Sequence, residues 1–226
     1  MELMLDTANL IDIKTYLDIY PISGITSNPS ILKKVGHIDI FNHLNQIRKI
    51  IGVDRSLHVQ VVTSTSEDMV KEAYRICEKI DKSVYIKIPV NEEGLKAIKI
   101  LKQKGYYITA TAIYTKIQGD LAILAGADYI APYVNRMDNI SISPKEVIEH
   151  FAHMIEVHNH STKILAASFK NAGQLTNAYE WGAHSVTVDP NILHDALNMP
   201  SISKAVNDFR LDFEQMNGEN ISFLDL

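Results

Sequence analysis

Residues 84–104 read VYIKIPVNEEGLKAIKILKQK and contain one complete strand-and-helix unit. The first five residues, VYIKI, form a nearly continuous apolar run, which is typical of a strand buried on both faces of a parallel sheet. The residues from 92 to 104 are predicted to form the helix that follows. This stretch therefore indicates an α/β protein built on a parallel sheet.

The same alternation extends over most of the chain. Strands are predicted at residues 2–6, 23–27, 57–62, 84–88, 106–111, 128–133, 163–168 and 185–189. Helices are predicted between them, among others at residues 66–80, 92–104, 115–124 and 144–158. Eight β/α units in roughly 220 residues predict one domain, a (β/α)8 TIM barrel formed by residues 1–200. The alternative is an open doubly wound sheet, but the Gly-rich turn typical of its first strand is replaced here by Thr7-Ala8-Asn9.

Residues 201–226 are surplus to the eight units. Ile202, Val206, Phe209 and Phe213 form one apolar stripe at spacings of four, three and four, which predicts an extra C-terminal helix. Two interpretations stay open at this point. The stripe packs under the same barrel, or it reaches across to a neighbouring subunit.

Composition and charge exclude several classes of protein. Hydrophobic residues make up 46% of the chain and charged residues 22%, which is typical of a globular protein with a large core. The formal net charge is −5 with no basic block, so no nucleic-acid partner is expected. No apolar run is long enough to cross a bilayer, and the amino terminus lacks the apolar core of a signal peptide. With a single cysteine, Cys77, the chain is expected in the cytoplasm.

Polar residues recur near the carboxyl ends of the predicted strands, where a barrel of this kind builds its active site. In chain order, strands one to seven contribute Asp6, Thr26 with Asn28, Gln60, Lys87, Thr111, Tyr133 and Ser168. Each residue alone is weak evidence. Together, in a barrel, they outline a single pocket.

Lys87 is the most informative of these residues, because it interrupts a strand that should be covered on both faces. Burial lowers the pKa of a lysine from its usual value of about 10.4. A lysine that is neutral near pH 7 can attack a ketone and form a Schiff base, which then accepts the electrons of a breaking carbon–carbon bond. The structural alternative is a lysine that snorkels or pairs with a carboxylate.

The other polar residues each have a functional and a structural interpretation. Asp6 either holds charge beside Lys87 or caps the helix predicted over residues 9–19. Tyr133 is either a general acid or base acting through water or a packed barrel tyrosine. Arg136 and Ser168 follow neighbouring strands, an arrangement suited to binding a phosphate, although Arg136 could instead form only a surface ion pair.

Nine histidines raise the question of a metal site. His150, His153, His158 and His160 belong to the helix after the sixth strand and its loop, away from the strand ends. His58 is expected near the start of the third strand, at the opposite end of the barrel. No HExxH or CxxC spacing occurs, so neither a metal nor another cofactor is predicted.

Six segments of the chain resemble motifs of one enzyme family, the small transaldolases and fructose-6-phosphate aldolases. They are MLDTANL at 4–10, SGITSNPS at 23–30, YIKIPVNEEGLKAIKIL at 85–101, TATAIY at 109–114, APYVNR at 131–136 and ILAASFK at 164–170. The resemblance covers nearly the whole chain. It implies a Schiff base on Lys87, a strand-1 aspartate at Asp6, and the strand-2 pair Thr26 and Asn28. It further implies that Thr111 helps to hold the catalytic water and that Arg136 and Ser168 bind the substrate phosphate.

Two positions divide the subfamilies that the chain resembles. Transaldolases of the family carry glutamate on the third strand and phenylalanine on the sixth, whereas the aldolases carry glutamine and tyrosine. Gln60 and Tyr133 both fall on the aldolase side. The resemblance therefore implies reversible cleavage of fructose 6-phosphate to dihydroxyacetone and glyceraldehyde 3-phosphate, with Tyr133 as the acid or base and Asp6 and Asn28 positioning Lys87 and the substrate hydroxyls.

Three rival functions remain on the sequence alone. One is a transaldolase of the pentose phosphate route, which uses the same covalent chemistry. The others are a barrel that binds or isomerises a sugar phosphate without a covalent lysine, and a metal-dependent aldolase. The resemblance also implies a homo-oligomer, a pentamer or a decamer, in which the terminal helix lies against a neighbouring subunit.

Overall fold

The computed structural model describes residues 1–226, which divide into two compact units, Met1–Pro190 and Asn191–Leu226. The first unit contains a closed barrel of eight parallel strands in the order of the chain, and β1 closes the barrel against β8. The strands are β1 Glu2–Asp6, β2 Ile22–Thr26, β3 Ser56–Gln60, β4 Tyr85–Pro89, β5 Tyr107–Ile113, β6 Tyr129–Pro132, β7 Lys163–Ala166 and β8 Ser185–Val188. The predicted (β/α)8 barrel is confirmed, and the alternative of an open sheet is wrong.

Helices follow the strands in turn. They are α1 Leu10–Ile19, α2 Pro29–Val35, α3 Ile40–Ile51, α4 Ser66–Lys79, α5 Glu92–Gln103, α6 Lys116–Leu124, α7 Val134–Asp138, α8 Pro144–Val157, α9 Ala172–Glu180, α10 Pro190–Leu197 and α11 Pro200–Asn217. The four helices predicted above coincide with α4, α5, α6 and α8 to within a residue at each end. These elements could be predicted closely because their apolar residues repeat at helical spacing.

Short polar side chains begin many of these helices. Asn9, Thr65 and Asn91 each accept a hydrogen bond from a backbone N–H in the first turn of the helix that follows. Such a cap satisfies donors that the helix itself leaves unpaired. The cap of α1 is therefore Asn9, and the interpretation of Asp6 as its cap is wrong.

The core of the first unit lies inside the barrel and between the strands and their helices. The outward residues of the strands, such as Leu5, Ile86 and Ile130, are fully buried beneath the helices. Inside the barrel, at the amino ends of the strands, Met4 of β1, Tyr129 of β6 and Leu165 of β7 form an apolar cluster. Tyr85 of β4 packs against this cluster. The carboxyl ends of the strands are left to polar residues.

The second unit is dominated by α11, the predicted extra helix, and no residue of this helix is buried. Phe209 is 71% exposed and Val206 63%, so the apolar stripe predicted from the sequence is largely open. After the helix, the ring of Phe223 lies 4.7 Å from that of Phe213. None of the helices combines the length and the apolar character that a membrane span requires.

Candidate active site

Lys87 is buried inside the barrel, with only 4% of its surface exposed. On one side its register partner is Gln60 at the end of β3, and on the other side it pairs with Thr109 on β5, two residues before Thr111. Because alternate residues of a strand point to the same face, Gln60, Lys87 and Thr111 project into the same interior. The structure therefore brings together the central residues of the predicted pocket.

The environment of Lys87 favours a neutral amine. Burial lowers the pKa of Lys87, and the nearby Asp6 carboxylate only partly offsets this effect. Burial in turn raises the pKa of Asp6, against the opposing influence of the Lys87 charge and the hydrogen bond from Thr26. Burial thus disfavours the charged forms of Lys87 and Asp6, while the charge of each group favours the charged form of the other.

Asp6 belongs to a hydrogen-bonded chain that crosses three strands. The Thr26 hydroxyl donates to Asp6 Oδ1 at 2.6 Å and lies 2.6 Å from the Thr187 hydroxyl on β8. Since Thr26 uses its proton on Asp6, Thr187 must donate to Thr26. Both threonines are buried, so the chain fixes the orientation of the carboxylate. Thr187, in the middle of β8, is a site residue that was not predicted from the sequence.

Tyr133 and Thr111 are joined directly. Their hydroxyl groups lie 2.7 Å apart. Burial raises the pKa of Tyr133, while the hydrogen bond with Thr111 and the charge of Arg136 act to lower it. The phenol therefore keeps its proton near neutral pH and has a fixed partner for proton exchange, as a general acid requires.

Arg136 and Ser168 lie side by side at the rim. The backbone N–H of Asn135, the residue before Arg136, donates to the Ser168 carbonyl at 2.8 Å. Ser168 has a φ of +65°, a conformation that non-glycine residues rarely adopt, directly after β7. Arg136 is exposed, and its guanidinium donates to the Tyr114 hydroxyl at 3.4 Å. An exposed arginine next to a strained serine is an arrangement suited to an anion.

Asn28 and Gln60 have different surroundings. Asn28 caps α2, because its side-chain oxygen accepts from the backbone N–H of Ile31 at 3.1 Å. Its side-chain NH₂ group remains as a donor. Gln60 lines an apolar groove of about 530 Å³, whose walls include Leu32, Ile38, Phe41, Leu44, Val61 and Ile76. Gln60 is thus a polar group at the boundary between the barrel interior and an apolar surface.

His58 lies inside the barrel. It is fully buried in the middle of β3, and its ring nitrogens lie 2.8 Å from the Thr109 hydroxyl and 2.9 Å from that of Ser56. Its ring also stacks on Tyr85 at 4.7 Å. Burial, and then the charge of Lys87, lower the pKa of His58, so the imidazole is neutral. The ring also lies 5.4 Å from that of Tyr129, and Tyr85 and Tyr129 are the first residues of β4 and β6, so His58 faces the amino ends of the strands, as the sequence indicated. It remains within electrostatic reach of Lys87.

The remaining histidine cluster has a structural arrangement. His150 Nε2 lies 2.9 Å from Asp120 Oδ1 and so connects α8 with α6. Beyond the end of α8, the rings of His158 and His160 lie 6.3 Å apart and are tilted by 54°. No three His, Cys, Asp or Glu side chains come together as a candidate metal site.

Comparison with known families decides what kind of protein this is. The family model described as Transaldolase/Fructose-6-phosphate aldolase matches residues 3–223. The chain belongs to this family. The resemblance carried by the six sequence motifs is confirmed, and the match includes every residue of the site described above.

A curated relative gives the same result at the level of a single protein. The chain is 50% identical over 213 residues to the "Probable fructose-6-phosphate aldolase" of Streptococcus pneumoniae (strain ATCC 700669 / Spain 23F-1). The alignment covers 94% of this chain and 96% of the relative. This member of the transaldolase/fructose-6-phosphate aldolase family is therefore similar to its relative over nearly its whole length.

A solved structure supports the fold alone. The crystal structure of a "putative phosphonomutase" from Burkholderia cenocepacia J2315 matches with a TM-score of 0.60 over 91% of this chain and 92% of that chain. The two sequences are only 11% identical. The likeness shows that the same barrel recurs in an unrelated chain, and it carries nothing about the reaction.

Proposed function

We propose that this family member is a class I aldolase that cleaves fructose 6-phosphate reversibly to dihydroxyacetone and glyceraldehyde 3-phosphate. The observation that carries the proposal is the buried Lys87 amine, whose pKa is lowered by burial. A neutral lysine in an enclosed site is the nucleophile that Schiff-base chemistry requires. The name of the streptococcal relative supports the choice of substrate.

The covalent steps follow from this nucleophile. Lys87 Nζ adds to the C2 carbonyl of the open-chain sugar, and loss of water gives an iminium ion. The C3–C4 bond then breaks, its electron pair moves toward the iminium nitrogen, and the C4 hydroxyl loses its proton to become the aldehyde of glyceraldehyde 3-phosphate. The resulting enamine takes a proton at C3, and water hydrolyses the iminium to free dihydroxyacetone.

Proton transfer is assigned to Tyr133 with a water held by Gln60 and Thr111. The cleavage removes one proton from the C4 hydroxyl and adds one at C3, so a single shuttle serves both steps. The Tyr133 hydroxyl, 2.7 Å from that of Thr111, supports this assignment. Asp6 and Asn28 would position Lys87 and the substrate hydroxyls, and Thr26 holds Asp6 at 2.6 Å.

Arg136 and Ser168 would bind the phosphate of the substrate. Arg136 offers a planar donor group at the rim, and a guanidinium recognises phosphate well. The backbone hydrogen bond from Asn135 to Ser168 keeps Arg136, the next residue, close to Ser168. The phosphate would then lie at the β6 and β7 side of the site.

The decisive experiment omits any acceptor sugar. With fructose 6-phosphate alone, the purified protein should release glyceraldehyde 3-phosphate, measured by a coupled assay with a dehydrogenase. Turnover that appears only when erythrose 4-phosphate is added would contradict the proposal. It would instead establish the transferase described next.

The second candidate is a transaldolase of the pentose phosphate pathway, which the family description also includes. Gln60 is the residue that separates the two, because a glutamate there would support proton handling during transfer. We expect Gln60→Glu to raise the ratio of transfer to cleavage, measured with and without erythrose 4-phosphate. An unchanged ratio would argue against this role for the third strand.

The rival function without a covalent lysine is tested by trapping a Schiff base on Lys87. Borohydride reduction in the presence of fructose 6-phosphate or dihydroxyacetone should add the mass of the reduced donor to Lys87, detected by intact and peptide mass spectrometry. Lys87→Met gives the matched control. Absence of an adduct, with activity retained in Lys87→Met, would support the non-covalent function. Loss of activity on addition of EDTA would support a metal-dependent aldolase.

We further propose that the protein is a cytoplasmic homo-oligomer, a pentamer or a decamer, with α11 of one subunit packed on its neighbour. The support is that α11 buries none of its own residues while its Phe209 is 71% exposed. An apolar stripe of this kind normally marks a contact surface. Sedimentation equilibrium should give the oligomer for the parent protein and a smaller species for Phe209→Glu; a monomeric parent would overturn the assignment.

A further inference from the structure

Arg136 contacts two tyrosines, the ring of one and the hydroxyl of the other, although its side chain is exposed. The guanidinium carbon lies 4.7 Å from the centre of the Tyr133 ring, which is a cation–π contact. On its other side, Arg136 donates a hydrogen bond to the Tyr114 hydroxyl at 3.4 Å. The two tyrosine rings meet edge to face at 5.7 Å. Arg136 is thus part of a three-residue cluster in which both partners are neutral phenols, so its charge remains available to an anion.

The position of Tyr114 depends on an unusual backbone at the end of β5. The register between β5 and β6 shifts between Ala110 and Ile113, and Ala112 within this bulge has a φ of +59°. A bulge re-aims the residues that follow it, and bulges occur often beside active sites. Positive φ in a residue other than glycine is costly, and such strain is kept where a particular geometry is required. The bulge separates Thr111, which contacts the phenol of Tyr133, from Tyr114, which contacts Arg136.

The backbone of Tyr114 is also fixed from the other side. Its N–H donates to Gln118 Oε1 at 3.0 Å, and the same oxygen accepts from the backbone N–H of Thr115 at 3.1 Å. These bonds belong to the capping box that begins α6. The backbone of Tyr114 is therefore anchored between a strained strand end and a capped helix, and its ring packs against that of Tyr133.

We propose that Tyr114 is a positioning and specificity-determining residue that holds Arg136 in place for a phosphorylated substrate. The inference rests on the proposed function for the identity of the anion, a sugar phosphate. A free arginine at the rim would sample many rotamers and would lose that freedom when it binds phosphate. A side chain that is already ordered avoids much of this loss, so pre-organisation raises affinity.

If Tyr114 has this role, removing its hydroxyl should affect phosphorylated substrates and leave unphosphorylated ones unchanged. Tyr114 has no assigned contact with the reacting carbon atoms, so its hydroxyl should matter for the phosphate and not for the aldol step. Removing only that hydroxyl, in Tyr114→Phe, should raise KM for fructose 6-phosphate by about twofold to tenfold and leave kcat within about twofold. The condensation of dihydroxyacetone with unphosphorylated glyceraldehyde should keep its kcat/KM.

A double-mutant cycle tests whether Tyr114 acts through Arg136. Arg136→Gln should weaken binding more than Tyr114→Phe, and adding Tyr114→Phe to Arg136→Gln should have no further effect, because the group that Tyr114 positions is gone. Tyr107→Phe is the matched control, since Tyr107 lies at the other end of the same strand and is 43% exposed. It should leave all of these constants unchanged.

The same cycle is measured with inorganic phosphate by isothermal titration calorimetry, which does not depend on aldol activity. Tyr114→Phe should lower phosphate affinity by the factor seen in KM, and it should have no effect in the Arg136→Gln background. Equal losses with phosphorylated and unphosphorylated substrates, additive losses in the cycle, or unchanged affinity would each overturn the inference. If the parent protein binds phosphate in this pattern but fails to cleave fructose 6-phosphate, the proposed function fails while the role of Tyr114 stands.

Discussion

At the amino end of the barrel, Glu2 is surrounded by partners, whereas at the carboxyl end Lys87 is buried beside Asp6 without a salt bridge. The Glu2 carboxylate accepts from Tyr129 at 2.9 Å and from Lys163 at 2.5 Å. Its backbone carbonyl accepts from Tyr179 at 2.6 Å. Polar groups at this end are therefore paired in the way that stable structures pair them.

The carboxyl end shows the opposite arrangement. Lys87 is 4% exposed, and burial lowers its pKa. A buried amine with an incompletely compensated charge costs stability. In barrels of this type the carboxyl end carries function and the amino end carries stability, and the two clusters differ in that way. Substitutions of similar size at the two ends should therefore have opposite effects on activity and on folding.

The largest effect is expected from Lys87→Met, which keeps the volume of the side chain and removes the amine. Without the nucleophile no Schiff base forms, so cleavage of fructose 6-phosphate should fall to background. The free energy of unfolding should not fall, because a costly buried amine is replaced by an apolar group, while Asp6, whose pKa burial raises, keeps its hydrogen bond from Thr26. Coupled assays and urea unfolding measure the two quantities. A stable but active variant would remove Lys87 from the mechanism.

Tyr129 begins β6 and Tyr133 directly follows it, so the two tyrosines compare the two ends of one strand. Tyr133→Phe removes the proposed acid or base and should lower kcat by about 10²-fold to 10⁴-fold. Lys87 is untouched in this variant, so borohydride should still trap the donor on it. The free energy of unfolding should change by less than about 1 kcal/mol, since Tyr133 shares its hydrogen bond only with Thr111 near the open end of the site. A kcat near that of the parent would assign proton transfer to another group.

The residues of the site could be predicted because each follows from a simple pattern. Short, nearly continuous apolar runs locate the strands and their ends, and a parallel barrel gathers those ends on one side. That reasoning was sufficient to select Asp6, Gln60, Lys87 and Thr111, and the structure brings them together. Lys87 stood out because a cation in the middle of VYIKI contradicts the apolar pattern around it.

Other features depend on three-dimensional geometry that the local sequence does not encode. Thr187 lies within the run SVTV, where a threonine is an ordinary strand residue, and its contact with Thr26 comes from a residue far away in the chain. Alanine rarely adopts the positive φ of Ala112, so the bulge that aims Tyr114 could not be foreseen. The neutral state of His58 likewise depends on its burial and on the charge of Lys87, which belongs to another strand.

At the amino end, Tyr129→Phe is the counterpart of Tyr133→Phe. It removes a hydrogen bond to the Glu2 carboxylate inside a largely buried cluster, and burial raises the pKa of Tyr129. Because bonds to charged groups are stronger than average, we expect the free energy of unfolding to fall by about 1–2 kcal/mol. The kcat for fructose 6-phosphate should stay within about twofold of the parent. Loss of activity without loss of stability would contradict the division between the two ends.

The smallest effect is a pH dependence of stability at Lys87. Burial lowers the pKa of Lys87 in the folded state below its ordinary value of 10.5, so the unfolded chain binds more protons between those two pKa values. The parent protein should therefore gain stability as pH rises toward 10.5, and the advantage of Lys87→Met should shrink over that window. Other groups titrate in both proteins, so they cancel in the difference between the two unfolding free energies. Lys99→Met, on the exposed face of α5, is the control for replacing a lysine by methionine outside the barrel. If the difference in unfolding free energy between the parent and Lys87→Met does not change with pH, the Lys87 amine is as well solvated in the barrel as in the unfolded chain. The carboxyl end would then lack the costly buried charge that distinguishes it from the amino end.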